Sequence, residues 1–232
     1  MNSWNVKLLT IFPEIFPGSL AFSLAGKAMD KGVFTLETIN IRDYSHDKHQ
    51  AVDDKVFGGG AGMLMRPDVV GNAIEACLDT SPQSKLIYFT PRGKRFNQAV
   101  ARELIGHNNI IMLCGRYEGV DQRIFDKYEI EEYSLGDYIL SGGEIAALTV
   151  IDACVRLIPG VIDNDKANDE ESFSEGEYQS LLEYDQYTRP VNWDDREVPE
   201  VLLSGNHKEI SKWRKKNAIE KTNHLRPDLI KA

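Results

Sequence analysis

No apolar run in this chain approaches the roughly 20 residues that a membrane span requires, so a membrane-spanning protein is not expected. The start, Met1 to Phe16, carries Pro13 and Glu14 where a signal peptide would keep an unbroken apolar core, and a cytoplasmic location is the expectation. Cysteine is scarce. Cys77, Cys114 and Cys154 lie far apart in apolar surroundings and form no CxxC pair, which favours buried free thiols over a disulfide framework or a zinc site. His46 and His49 stand three residues apart with no third ligand of the usual kind nearby, so they are taken as solvated loop histidines and no metal site is expected. The glycine-rich segment Phe57-Gly58-Gly59-Gly60-Ala61-Gly62-Met63 is not followed by Gly-Lys-Ser/Thr, which excludes a P-loop. Its glycine spacing and the lack of an immediately preceding strand also exclude the dinucleotide fingerprint, and with it a dehydrogenase-like enzyme.

What remains is the composition of an ordinary soluble α/β protein. With 232 residues, 42% hydrophobic and 27% charged, the chain suits one large α/β domain or one such domain plus a small one. Its net charge of -9 argues against a surface uniformly attractive to nucleic acid, but the charge is unevenly spread. From His207 to Ala232 eight cations face three carboxylates, a balance of +5. From Asp163 to Asp185 nine carboxylates accompany the single Lys166, which reads as a solvated, linker-like stretch between two unlike halves.

Short apolar or alternating runs predict strands over Val6 to Phe12, Phe34 to Ile41, Leu86 to Thr90, Asn109 to Cys114 and Glu129 to Ser134. Helices are expected over Gly18 to Lys31, Pro67 to Leu78, where Pro takes the first helical position, and Asn97 to Ile105. The run Glu144 to Leu157, apolar on nearly every side and stopped by Pro159, predicts a helix buried against the sheet or a second subunit. Asn206, with Glu209 three residues on, predicts the start of a helix in the basic tail.

Three of the strands end in a glycine-bearing segment. These are Pro91-Arg92-Gly93, Gly115-Arg116-Tyr117-Glu118-Gly119, and Ser134-Leu135-Gly136-Asp137-Tyr138-Ile139-Leu140-Ser141-Gly142-Gly143. Taken alone each could be a tight turn. Together they describe neighbouring parallel strands whose carboxyl-end loops converge on one crevice, where open α/β sheets bind ligands. Gly136, Gly142 and Gly143 are expected to turn with φ > 0 and to offer bare backbone groups to a flat ligand.

Phe57-Gly58-Gly59-Gly60-Ala61-Gly62-Met63, Gly115-Arg116-Tyr117-Glu118-Gly119-Val120-Asp121, Ser134 to Glu144, Tyr187-Thr188-Arg189-Pro190 and Leu203-Ser204-Gly205-Asn206-His207 occur in the order and spacing of the bacterial tRNA (guanine-N1)-methyltransferases, which the chain closely resembles over essentially its whole length. The resemblance implies a knotted α/β fold of the SPOUT class, a parallel sheet with a trefoil knot, and a small helical C-terminal domain. It also implies S-adenosylmethionine as methyl donor, a homodimer with the active site at the subunit interface, and as target the guanosine of tRNA at position 37, just 3′ of the anticodon. The competing class is a non-catalytic module that binds RNA or a nucleotide. In domain terms the resemblance divides the chain into a methyltransferase domain over 1–162, an acidic linker or lid over 163–186 and a tRNA-binding domain over 187–232.

Carried over residue by residue, the resemblance lines the cofactor pocket with Thr90, Pro91, Gly93, Gly115, Tyr117, Glu118, Ser134, Leu135, Gly136, Asp137, Tyr138, Ile139, Leu140, Gly142 and Gly143. It gives Lys55, Gly59, Arg116, Arg189, His207 and Lys215 to the tRNA. Guanine N1 bears a proton, so methylation needs a base for that proton and a cation for the charge that builds on O6. The family register, anchored at Ser172-Phe173, makes Glu171 the base, where the family has Asp, and Arg156 the O6 partner; Asp169 is the rival base. Whether Mg²⁺ assists is left open by the sequence.

Overall fold

The computed structural model describes residues 3–162 and 170–230. Two compact units divide the chain, Met1–Asp163 and Asn164–Ala232.

The first unit is built on β1 (Trp4–Thr10), β2 (Phe34–Asn40), β5 (Lys85–Arg95), β6 (Asn109–Leu113) and β7 (Ile130–Ser134), with β3 (Asp53–Lys55) and β4 (Met63–Met65) forming a separate antiparallel hairpin. The five strands make one sheet in the order β2-β1-β6-β5-β7, and every pairing in it is parallel. Helices α1 (Ser23–Asp30), α3 (Gln98–Ile105) and α5 (Gly143–Val155) contribute to one core cluster, and α2 (Pro67–Thr80) and α4 (Gln122–Lys127) to the other.

The alternation along the strands explains how one sheet feeds both cores. Successive β side chains point to opposite faces. On β6, Ile110 and Met112 join the first core and Ile111 and Leu113 the second; on β1, Leu8 and Leu9 part in the same way. With both faces covered, Ile110 to Leu113 of β6 and Leu86 to Phe89 of β5 read as continuous apolar runs, whereas β2, at the edge of the sheet, alternates. Each fully buried aliphatic side chain of this kind contributes about 1.5–3 kcal/mol relative to an exposed one.

The predicted strands and helices are present with ends shifted by a few residues, except that the helix expected over Gly18 to Lys31 breaks at the extended Phe22 into a 3-10 turn, Gly18–Ala21, and α1, and that one strand runs on past its expected end. The turn expected at Pro91-Arg92-Gly93 does not end its strand. Phe89 and Lys94 both pair with Tyr133, so residues 90–93 leave the ladder as an excursion and β5 resumes beside β7 at Lys94 and Arg95. Gly93 closes that excursion. A Cβ there would stand 2.5 Å from the backbone of Glu132 and Tyr133, a distance no side chain tolerates.

The helix expected in the apolar run after the glycine loop is α5. It buries Ala146, Ala147, Val150, Ile151, Cys154 and Val155 and leaves Ile145 exposed.

The second unit holds a short hairpin, β8 (Asn192–Trp193) with β9 (Arg196–Glu197), then α6 (Glu200–Leu203) and α7 (His207–Leu225). The Asn206 side chain caps α7 by accepting from the Glu209 N–H at 3.4 Å. The acidic stretch, expected to be solvated, packs in its described part 170–185 against α7. Tyr178 and Tyr184 are buried with Ala218 in a small core that includes Trp213, and Asp185 pairs with Lys221 at 2.7 Å. Aromatic side chains among the carboxylates supply the apolar area that charge alone could not. Among the described residues no helix is long and apolar enough to cross a membrane.

Candidate active site

The excursion at 90–93 within β5 and the loops that follow β6 and β7 meet around a cavity of about 270 Å³. Of the fifteen residues expected at the cofactor, thirteen line it; Gly93 and Asp137 do not. Gly93 is spent on the strand excursion described above. Asp137 belongs to the third loop but is not among the residues that line the cavity.

Each loop is pinned by backbone groups. The Gly143 N–H donates to Gly115 O at 2.9 Å, joining the β6 and β7 loops, and the Phe96 N–H donates to Ser134 O at 2.8 Å. Ser134 Oγ lies 3.3 Å from both N and O of Gly136, folding the start of the third loop on itself. From the other side the β3–β4 hairpin docks on the β6 loop, with Met65 N–H donating to Gly119 O at 2.9 Å and Glu118 N–H to Met63 O at 3.0 Å. Tyr117 between these contacts has φ 59°, the left-handed region that a bulky residue rarely adopts.

The expected role of the glycines is corrected in part. Gly136 does turn with φ +155°, but Gly142 is extended at φ 177° and Gly143 is the first residue of α5. Their need for hydrogen in place of Cβ comes from close approach. A Cβ on Gly143 would stand 2.8 Å from Cys114 Cα, and one on Gly115 would stand 2.6 Å from the Tyr88 hydroxyl. In the glycine-rich hairpin loop Gly58, Gly59, Gly60 and Gly62 all have positive φ. A Cβ on Gly62 would stand 2.5 Å from Glu118 Cγ, so this loop meets the cavity's lining carboxylate.

Sequence reasoning missed the one buried charge here. Glu144 is fully buried, with Oε1 accepting from Thr10 Oγ1 at 2.8 Å and Oε2 in an ion pair with Arg116 Nε at 2.8 Å. It sits in the first turn of α5, where the helix dipole favours a negative group. The Arg116 guanidinium also lies 4.6 Å from the Phe12 ring centroid and donates from Nη1 to Ser141 O at 3.3 Å. Arg116, expected at the tRNA, thus belongs to the cavity wall. The only sequence signal for Glu144 was an acidic residue in the first turn of a mostly apolar helix.

Burial raises the Tyr88 hydroxyl and holds the Cys114 thiol well above its ordinary value, so neither ionises near neutrality. The Tyr117 hydroxyl is raised too, by burial first and then by Asp53.

The remaining expected residues are placed as follows. Lys55 ends β3 and Gly59 lies at the hairpin tip. Arg156, half-buried, is the C-cap of α5. In the second unit, Arg189 and Tyr187 line a groove with Val191, Val198 and Leu203. His207 opens α7, and Lys215 is tied to Glu177 at 2.6 Å. Glu171 is half-buried and its carbonyl accepts from Ser174 N–H at 3.1 Å. Its neighbour Glu170 is engaged structurally, accepting from the Tyr184 hydroxyl at 2.7 Å and from Arg214 at 2.8 Å. Asp169 lies outside the described residues. Among the described residues no cluster of His, Cys, Asp and Glu could hold a metal ion.

The family model described as tRNA (Guanine-1)-methyltransferase TrmD matches residues 4–232. A protein of Wolbachia pipientis wMel named tRNA (guanine-N(1)-)-methyltransferase is 56% identical over 228 residues, 98% of this chain and 96% of that protein. Proteins of the same name from Cereibacter sphaeroides and Rickettsia typhi are each 50% identical, over 100% of this chain and 93% and 99% of their own lengths.

Proposed function

The chain belongs to the tRNA (guanine-1)-methyltransferase family, and from that premise we propose that it methylates N1 of a guanine in tRNA, with S-adenosylmethionine as donor and the guanosine at position 37 as target. The observation that carries the reading is the convergence of the β5 excursion and the loops after β6 and β7 on one cavity of about 270 Å³, close to the small end of small-molecule pockets, about 300 Å³.

The residues present suit such a donor. Leu135, Ile139 and Leu140 offer apolar surface for a flat ring, and Gly136, Gly142 and Gly143, which carry no side chain, bring main chain to the cavity wall. Glu118 adds a carboxylate suited to a cationic ligand. When bound, S-adenosylmethionine would supply an electrophilic methyl group.

The chain's own part in the chemistry is to manage one proton and one developing charge. The Glu171 carboxylate takes the N1 proton as general base, and the Arg156 guanidinium holds the negative charge that builds on guanine O6. Glu170, locked by Tyr184 and Arg214, is unavailable for that role. The basic face of α7 holds the tRNA backbone. Family membership supports a homodimer, in which the exposed Phe22 and Ile145 side chains are apolar surface for a partner to cover. Family membership likewise supports a SPOUT-type trefoil knot in the parallel sheet.

The deciding experiment mixes the protein with labelled S-adenosylmethionine and unmodified tRNA and maps the product. Label on guanine N1 at position 37 is expected; label elsewhere, or none, overturns the reading.

A further inference from the structure

Three elements far apart in the chain end on a single buried carboxylate. Glu144 stands in the first turn of α5, Thr10 ends β1 and Arg116 stands in the loop after β6. Glu144 Oε1 takes the Thr10 hydroxyl at 2.8 Å, and the same hydroxyl oxygen accepts from the Phe12 N–H at 3.0 Å. Oε2 faces Arg116 Nε at 2.8 Å in an ion pair off the line of an ideal hydrogen bond, and neither atom has another hydrogen-bond partner. Each therefore depends on the other. A buried charge left without its counterpart is costly, which fixes the guanidinium in one place.

That place is also where the third loop passes. Arg116 Nη1 donates to Ser141 O at 3.3 Å, and its Nε occupies the space a Cβ of Gly142 would take, 2.3 Å away. Ser141, Gly142 and Arg116 all line the cavity. The far side of the guanidinium rests on the Phe12 ring.

We propose that Glu144 is a positioning residue: its buried carboxylate clamps Arg116 against the Ser141–Gly142 backbone, and so holds the glycine loop in the shape that receives the methyl donor. Glu144 does not touch the ligand and acts through Arg116. The inference rests on the cofactor reading above for its functional consequence, whereas the clamp is a property of the protein alone.

The test uses the full-length chain with Glu144→Gln, which keeps the shape and removes the charge, together with Arg116→Gln and the double variant. Two measurements are made. Hydrogen exchange of residues 136–143 in the absence of ligand should be faster in Glu144→Gln by about tenfold, and S-adenosylmethionine affinity by calorimetry should fall by about tenfold. In the Arg116→Gln background the same substitution should add less than about twofold, because the partner through which it acts is already gone. KM for the cofactor should rise while the rate at saturating cofactor changes less. Unchanged exchange in 136–143, or effects that add in full, overturns the proposal. If Glu144→Gln does not fold, Thr10→Val removes one donor from the same carboxylate and should give a smaller rise in exchange at 136–143; no rise overturns the clamp. Absence of S-adenosylmethionine binding by the unsubstituted protein would defeat the cofactor reading, and the exchange measurement would still decide the clamp.

Discussion

Gly142 has no Cβ because Arg116 occupies its place: an added Cβ would stand 2.3 Å from Arg116 Nε. The glycine is extended at φ 177°, so the requirement is one of space and not of backbone conformation. This contact joins the loop after β6 to the loop after β7, and several expected outcomes follow from it and from the charges around it.

Gly142→Ala should displace Arg116 from Glu144 and weaken S-adenosylmethionine binding by about tenfold or more, in line with the cost of overpacking a filled site. Gly32→Ala, at φ +68° with open space around it, should lower stability through backbone strain while leaving binding unchanged. Calorimetric titration of both variants checks the contrast. Equal affinity in Gly142→Ala and the parent would place the donor elsewhere.

Burial pushes the Cys77 thiol up to about 11 and the Cys154 thiol up to about 12, from an ordinary value of 9.0, and holds Cys114 well above its own. In the unfolded chain these thiols lose their protons near pH 9, while in the folded protein they keep them. Above pH 9 the native state therefore binds more protons, and stability falls as pH rises, first across the window from 9 to 11 set by Cys77. Tyr184, raised to about 12 by burial and by Glu170, acts with the same sign at higher pH. Urea midpoints should decline steadily from pH 9 to 11, and the three thiols should resist a disulfide reagent at pH 8 until urea is added.

Lys208 and Lys216 lie on the exposed face of α7. Changing both to Ala should weaken tRNA binding for every tRNA alike and reduce the slope of log affinity against log salt by about 2. S-adenosylmethionine affinity should stay unchanged. These substitutions suit the purpose better than truncating after Pro190, which would strip Ala218 and Trp213 from Tyr178 and Tyr184 and expose the small core. A salt slope equal to the parent's would show that this face does not meet phosphate.

Glu171→Gln should abolish single-turnover methylation while tRNA binding persists, and Asp169→Asn should leave the rate within a few-fold of the parent. General-base removal of this kind costs about 10²–10⁴ in rate. The reverse pattern assigns the proton to Asp169. Glu170→Gln should instead lower the melting temperature, since it weakens contacts with Tyr184 and Arg214.

Much of the first unit was legible because its signals are local. A strand buried on both faces reads as an apolar run, a helix start shows as Pro67 or Asn206, and three glycine-bearing segments in succession imply neighbouring parallel strands, which β5, β6 and β7 are, in the order β6-β5-β7 that no local signal carries. Where one residue's role depends on another distant in the chain, the sequence was silent. The excursion at 90–93 exists because β5 re-pairs with β7, a register that no window around Pro91 contains. Likewise Tyr178 and Tyr184 fold an acidic stretch onto α7, which charge counting could not foresee. The sequence by itself determined the parallel α/β architecture and the convergence of the glycine loops, because periodicity and backbone freedom are written residue by residue. Only the tertiary structure decided that Gly142 yields its space to Arg116 and that Glu144 holds Arg116 there, because a buried charge and its partner are chosen by proximity in the folded chain and leave no periodic trace.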